Sequence, residues 1–139
     1  MSRNGVTAVY IETNNNPLSR TVGDCAVRAV ALALGIEWEE AYAKLASAGY
    51  AMADMPSSNA VIAAVLRQNG FYRNAIADTC PICYTAENFC TDNPEGIFVL
   101  CFDWHVATVI DGDIYDAWDC SQEIPQYYWY RKKKKEVEA

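Results

Sequence analysis

The period of the apolar positions changes from helical to alternating part-way along the chain. From Cys25 to Leu34 the run is Cys, Ala, Val and Leu with a single Arg, and Gly35 follows it. This predicts a mostly buried helix with a glycine C-cap and with Asp24 or Gly23 as N-cap. A second helix is expected over Glu37–Ala48. Trp38, Tyr42 and Leu45, at i, i+4 and i+7, face inward there, with Glu39, Glu40 and Lys44 outward. A third helix, Asn59–Gln68, is capped by Ser57 or Ser58, groups Ile62, Val65 and Leu66 on one side, and ends at Asn69-Gly70.

Beyond residue 95 the pattern is that of strands: Gly96–Phe102, Trp104–Ile110, Asp113–Trp118 and the aromatic piece Tyr127–Tyr130. Asp111-Gly112 between two of them is a hairpin turn signal. The stretch 78–95 is weakly patterned, with a turn at Cys80-Pro81-Ile82-Cys83 and one helical turn at Ala86–Phe89. Ahead of the first helix, Val6–Ile11 is a short strand and Asn14-Asn15-Asn16-Pro17 a turn-rich loop. Helices first and antiparallel strands second is α+β organisation, with the helices packed on the sheet.

A chain of 139 residues, 52% hydrophobic and 21% charged, suits one globular domain, read here as residues 1–130 followed by a charged tail, 131–139. The first 130 residues carry 6 basic and 16 acidic side chains. This acidic body argues against a nucleic-acid partner. The basic run Arg131–Lys135 reads as a solvated terminus. No apolar run approaches the roughly 18–20 residues that span a bilayer, and the first residues lack a signal-peptide core, so no membrane partner and a cytoplasmic location are expected. Six cysteines then read as thiols and not as a disulfide framework.

Cys25 stands at the first turn of its helix, where the dipole and free backbone N–H groups favour a thiolate and can hold an oxyanion. A thiol nucleophile needs a base, and His105 is the sole imidazole in the chain. A two-residue turn at Asp111-Gly112 would pair Ile110 with Asp113 and His105 with Trp118. Asp116 would then share the face of His105 and accept its Nδ1 proton. A three-residue turn would slip the register and bring Asp119 opposite His105, as the alternative orienter. A second oxyanion donor besides the Cys25 N–H is sought upstream, with Ser19, Asn16 and Asn15 as candidates. Cys80-x-x-Cys83 is half of a zinc knuckle, but Cys90, Cys101, Cys120 and His105 complete no regular ligand spacing, so neither a metal nor a cofactor is expected. The late aromatics Trp118, Tyr127, Tyr128, Trp129 and Tyr130 suit a core strand and its edge, or a stacking wall beside a site.

The segment G-D-C-A-V-R-A-V-A-L-A-L-G, an E-x-A-Y helix after it, and H-V-A-T-V-I-D-G-D-I-Y-D-A-W-D together resemble small papain-like proteins encoded by bacteriophages and bacteria. More distantly they are similar to NlpC-type and bacteriocin-processing peptidases. The matching segments cover residues 20–45 and 97–121. The resemblance implies a papain-like fold with Cys25 as nucleophile, His105 as base and Asp116 as orienter, acting through a thioester on a peptide or protein amide. Papain-like enzymes usually carry Gln six residues before the Cys, and Ser19 stands there in this chain. The competing expectation is a papain-like module without catalysis that contacts a host protein.

Overall fold

A computed structural model of the chain describes residues 9–79 and 81–131. Among them the elements run β1 (Tyr10–Glu12), α1 (Cys25–Leu34), α2 (Trp38–Met52), α3 (Asn59–Gln68), β2 (Tyr72–Ala75), α4 (Ala86–Asp92), β3 (Ile97–Cys101), β4 (Val106–Ile110), β5 (Asp113–Asp116) and β6 (Tyr127–Arg131). The six strands form one sheet in the order β1-β5-β4-β3-β6-β2. The class is α+β, with the first three helices on one face of the sheet.

Alternation along the central strands divides the core. Val99, Cys101, Val106 and Trp129 pack with α1, α2 and α3, while Phe98, Leu100, Phe102, Ala107, Val109 and Ile114 pack on the opposite face with Phe89 and Cys90 of α4. Both faces of β3 and β4 are therefore covered, which is why these strands read as nearly unbroken apolar runs. Helix α1 lies directly on β4. The fully buried Thr108 hydroxyl donates to the Ala29 carbonyl at 2.7 Å, fastening the helix to the strand. Gly35 ends α1 in the left-handed conformation, φ 69°, as its C-cap.

The β4–β5 turn is the two-residue one. Asp111 and Gly112 both take positive φ (50° and 84°), as a type I′ turn requires, and Ile110 pairs with Asp113, Val109 with Ile114 and Thr108 with Tyr115. The strands are shorter than expected: β4 begins at Val106, leaving Trp104 and His105 in the β3–β4 connection, and β5 stops at Asp116.

The sheet is mixed and not wholly antiparallel, because β1 pairs in parallel with β5, Tyr10 beside Ile114 and Glu12 beside Asp116. Three helices separate β1 from the other strands, so no hairpin constrains its direction, and it satisfies the open edge of β5. The expected strand Val6–Ile11 overlaps β1 only at Tyr10 and Ile11; Val6, Thr7 and Ala8 lie outside the described residues. Strand β2 has no counterpart in the sequence reading. All four of its residues are exposed, and it is held at the edge by pairing with β6, with Arg73 over the Tyr127 ring at 4.2 Å.

Helix α2 starts at Trp38 and runs past Ala48 to Met52. Its buried stripe is Ala41, Leu45 and Gly49, so Tyr42 faces outward at 49% exposure, its ring stacked on Trp38. A side chain on Gly49 would collide with the Asp54 carbonyl, 2.8 Å from the position of a Cβ, so glycine allows the turn after α2 to close. Ser58 caps α3, its hydroxyl accepting from the Val61 N–H. The single turn expected at Ala86–Phe89 is the start of the longer α4, opened by a Thr85/Asn88 capping box. Arg131, assigned to the tail, closes β6 and reaches the Asn69 and Ala33 carbonyls at 3.3 Å each; residues 132–139 lie outside the described residues. No helix among the described residues is long and apolar enough to cross a membrane.

Candidate active site

Three elements bring Cys25, His105 and Asp116 together. Cys25 is the first residue of α1, and α1 lies across β4, at whose start His105 sits. The β3–β4 connection is drawn tight by the Phe102 N–H donating to the His105 carbonyl at 2.8 Å. Asp116 ends β5, next to β4 through the I′ hairpin. His105 and Asp116 are both buried, and Cys25 is half-buried at the wall of an open cleft of about 600 Å³.

The His105 Nε2–H donates to Asp116 Oδ2 at 2.6 Å. The nitrogen that meets the carboxylate is thus Nε2 and not the expected Nδ1. This leaves Nδ1 as the ring nitrogen not engaged by the carboxylate, and the Cys25 thiol and the His105 ring shift each other's ionisation, the thiol downward and the ring upward.

Asp116 is the hub of a larger network. Its Oδ1 accepts from Arg28 Nη1 at 2.8 Å and from its neighbour's N–H, that of Ala117, at 2.7 Å. Its Oδ2 also accepts from the Cys120 thiol at 3.3 Å. Arg28 in turn donates through Nε to Asp24 Oδ1 at 2.9 Å, so one guanidinium on α1 ties both carboxylates. Asp24 Oδ2 accepts from Asn16 Nδ2 and from Trp38 Nε1, each at 3.0 Å. Asp24 occupies the N-cap position, but its side chain makes no capping bond, being drawn off to these three partners. The first-turn N–H groups of α1 are therefore not covered by their own cap.

The electrostatics favour an ion pair. Burial pushes the Cys25 thiol up, but the His105 hydrogen bond, the Val106 N–H and the positive charges of His105 and Arg28 outweigh it, and the net shift is downward. Burial pushes His105 down, yet the Asp116 hydrogen bond and charge, with those of Cys25, carry it up to about 9. Burial likewise raises Asp116, and bonds from His105 and Arg28 hold it below the usual carboxylate range. At neutral pH His105 is an imidazolium and Asp116 a carboxylate, and the imidazolium favours the thiolate form of Cys25.

The upstream oxyanion candidates lie elsewhere. Ser19 is exposed, in the left-handed region at φ 54°, with its N–H donating to the Asn16 carbonyl. Asn16 is buried and employed in the loop: its amide donates to Asp24, and its Oδ1 accepts from the Leu18 and Arg20 N–H groups. Asn15 donates to the Arg28 carbonyl at 3.3 Å. These asparagines build the turn before Cys25, as short amide side chains do by bonding nearby backbone, and do not line the cleft. Asp119 is not brought to His105; it is exposed and accepts from the Ser121 N–H. Asp116 takes the orienting position because the two-residue turn sets its register.

Aromatic rings frame the histidine. Trp118 lies 4.8 Å from the His105 ring between centroids, and Trp104, 70% exposed, stacks parallel on Trp118 at 5.8 Å and 4°. The other late aromatics do structural work. Trp129 is buried under α3, and Tyr128 and Tyr130 pack with Phe98 on the opposite face.

His105, Asp116 and Cys120 offer ligand atoms within 4.8 Å of one another, the one such group among the described residues. Burial and the Asp116 charge push the Cys120 thiol up, so it is a proton donor there and not a thiolate ligand, and the Arg28 cation occupies the other side of Asp116. This donor set suits a hydrogen-bonded network better than a divalent ion. Cys83 is exposed, Cys90, Cys101 and Cys120 are buried, and Cys80 lies outside the described residues. Burial pushes Cys101 up to about 12, which marks it as an inert core thiol.

No family model, curated protein or solved structure matches the chain. What this centre can do is read from its own atoms. The sequence reading missed Arg28 and Cys120. Arg28 had a signal: it is the sole charge in an apolar helix, four residues after an Asp. Cys120 had none, because its bond depends on the chain turning back after β5.

Proposed function

We propose that this protein is a cysteine hydrolase of amide bonds, with Cys25 as nucleophile, His105 as acid and base, and Asp116 as the positioning residue behind His105. The observation that carries the reading is the Cys25–His105–Asp116 relay, with His105 2.6 Å from a buried carboxylate and Cys25 at a helix N-terminus in an open cleft. The papain-like resemblance of residues 20–45 and 97–121 agrees with it in order and in roles.

The Cys25 thiolate attacks the substrate carbonyl carbon, forming a C–S bond and moving the C=O electron pair onto oxygen. The Cys25 N–H and the helix dipole stabilise that oxyanion. As the C=O re-forms, the C–N bond breaks and the His105 imidazolium gives its Nδ1 proton to the departing amine. Neutral His105 then takes a proton from water, whose oxygen attacks the thioester. Collapse breaks the C–S bond, releases the acid and restores thiolate and imidazolium. Asp116 holds the ring throughout and offsets its charge, and Arg28 keeps Asp116 ionised.

The test is the iodoacetamide rate at each cysteine across a pH series, read by mass spectrometry for wild type and His105→Ala. The expected result is Cys25 reacting fastest, well below the pH at which an ordinary thiol ionises, with the advantage lost in His105→Ala. If Cys25 behaves as an ordinary thiol in both proteins, the hydrolase reading fails and a non-catalytic binding module takes its place.

A further inference from the structure

The carboxylate behind His105 has a partner that the proposed mechanism does not use. An ionised Asp offers about four acceptor sites, two on each oxygen. On Oδ1 of Asp116 they are taken by Arg28 Nη1 and the Ala117 N–H. On Oδ2 they are taken by the His105 Nε2–H at 2.6 Å and the Cys120 thiol at 3.3 Å. His105 and Cys120 therefore share one oxygen. The proton stays on the sulfur, because burial and the Asp116 charge push the Cys120 thiol up. The bond then runs from S–H to carboxylate, and Cys120 is 0% exposed, so bulk water does not stand in for it.

The thiol is set in place from the face of the sheet that α4 covers. The turn after β5 is closed by the Glu123 N–H donating to the Cys120 carbonyl at 3.0 Å. The first N–H groups of α4, those of Ala86 and Glu87, donate to the Glu123 and Ser121 carbonyls at 2.9 Å each. Around the Cys120 side chain the cluster is apolar, with Val9, Ala86, Phe89 and Ile114 among its members. An aliphatic side chain would serve that packing as well; what the carboxylate uses is the S–H.

Two donors on one oxygen compete, since each draws on the same negative charge. The bond from Cys120 thus weakens the hold of Oδ2 on the imidazolium. Other charged or titratable groups surround the cluster: Cys25 and Arg28 of α1 with Asp24 at its N-cap, Tyr10 and Glu12 of β1, Asp119 beside Cys120, and Glu87 of α4, which is bonded to Gln122. Of these, among the described residues, Arg28 alone donates to Asp116, and it does so on the other oxygen. We propose that Cys120 is a positioning residue of this centre, whose thiol fills the last acceptor site of Asp116 and so limits how tightly the carboxylate holds the His105 ring. The role rests on the hydrolase reading above and adds a residue to it.

His105 is the sole histidine, so in protein carrying isotope-labelled histidine the ring signals belong to one residue. The pH at which they titrate is read by NMR for wild type, Cys120→Ala and Cys120→Ser, starting from about 9 in wild type. Cys120→Ala removes the competing donor, and His105 should titrate at a pH roughly 0.5–1 higher, the worth of one hydrogen bond. Cys120→Ser supplies a hydroxyl, a shorter and stronger donor to a carboxylate, and His105 should titrate below wild type. A Cys120 that only fills space would move neither value. An Ala value at or below wild type, or a Ser value at or above it, overturns the role of Cys120. Where Cys120→Ala does not fold, the Ser value decides by the same criterion. No part of this titration depends on the reactivity of Cys25. An ordinary Cys25 thiol in the iodoacetamide series overturns the hydrolase reading, whereas the NMR titration decides Cys120 by itself.

Discussion

Arg28 donates to Asp116 at 2.8 Å from the same helix that begins with Cys25, so the carboxylate behind the histidine is held by the element that carries the thiol. The guanidinium's second bond, to Asp24 at 2.9 Å, closes a buried Asp24–Arg28–Asp116 bridge from the start of α1 to the end of β5.

Removing that cation takes the guanidinium from two buried carboxylates, leaving Asp24 with neutral donors only and Asp116 with His105 as its one cation. Arg28→Met should cost on the order of 3–5 kcal/mol, the usual result of breaking one side of a buried pair, measured as a shift in the urea midpoint. The acid limb should change as well. Although burial raises them, Asp24 and Asp116 are held below 3.8 by their hydrogen bonds. Their contribution is complete above that value and is lost as pH falls through the folded-state values. In Arg28→Met the loss should begin at higher pH. An unchanged acid profile would remove Arg28 from this role.

Replacing Asp116 separates the two registers. Asp116→Ala should lower turnover by roughly 10²–10⁴-fold, the scale of losing the residue that orients a catalytic histidine, while Asp119→Ala should leave it near wild type. Cys25 alkylation is the readout that needs no substrate. Its pH profile should shift toward that of an ordinary thiol in Asp116→Ala alone.

The pH dependence of Cys25 alkylation should have two limits. The rate should rise below the pH at which an ordinary thiol ionises, because the Cys25 thiol is lowered, and change again near 9, where His105 loses its proton. Stability follows the same group. His105 is raised from 6.5 to about 9 when folded, so its contribution is complete below 6.5 and fades as pH rises through about 9. Urea midpoints taken between pH 6 and 10 should show a decline for wild type that His105→Ala lacks.

Thr108 pins α1, the helix that begins with Cys25, to the strand that follows His105. Thr108→Val keeps the shape but removes the 2.7 Å bond to the Ala29 carbonyl. The expected cost is about 1 kcal/mol by denaturant titration, since that carbonyl retains the bond of its own helix. A loss in Cys25 reactivity larger than the loss in stability would show that the bond also positions α1.

The parts of the site written in short-range signals were legible in the chain. The boundaries of α1 followed from an apolar run ended by Gly35. The register of β4 and β5 followed from Asp111-Gly112, which tolerate the positive φ of a I′ turn, and that register selects Asp116 over Asp119. The lone histidine left one choice of base. Strand β2 was not legible, because Tyr72–Ala75 has no apolar alternation and exists only through its partner β6. Nor was the outward turn of Tyr42, since Trp38, Tyr42 and Leu45 alone do not show that the stripe centres on Ala41.

By itself, then, the sequence determined the elements whose signal lies within a few residues, and through them which residue types stand at the head of α1 and at the ends of β4 and β5. Tertiary structure alone decided which side chains share charge. Arg28 and Asp116 are 88 positions apart, and their pairing exists because α1 crosses β4 beside β5. It also decided that Nε2 of His105 faces Asp116, that Asn16 braces Asp24 and does not line the cleft, and that a cavity opens against Ala26 and Val27 of α1. Propensity and periodicity act over one or two turns of chain, whereas burial, ion pairing and cavity shape depend on which distant segments the packed sheet brings together.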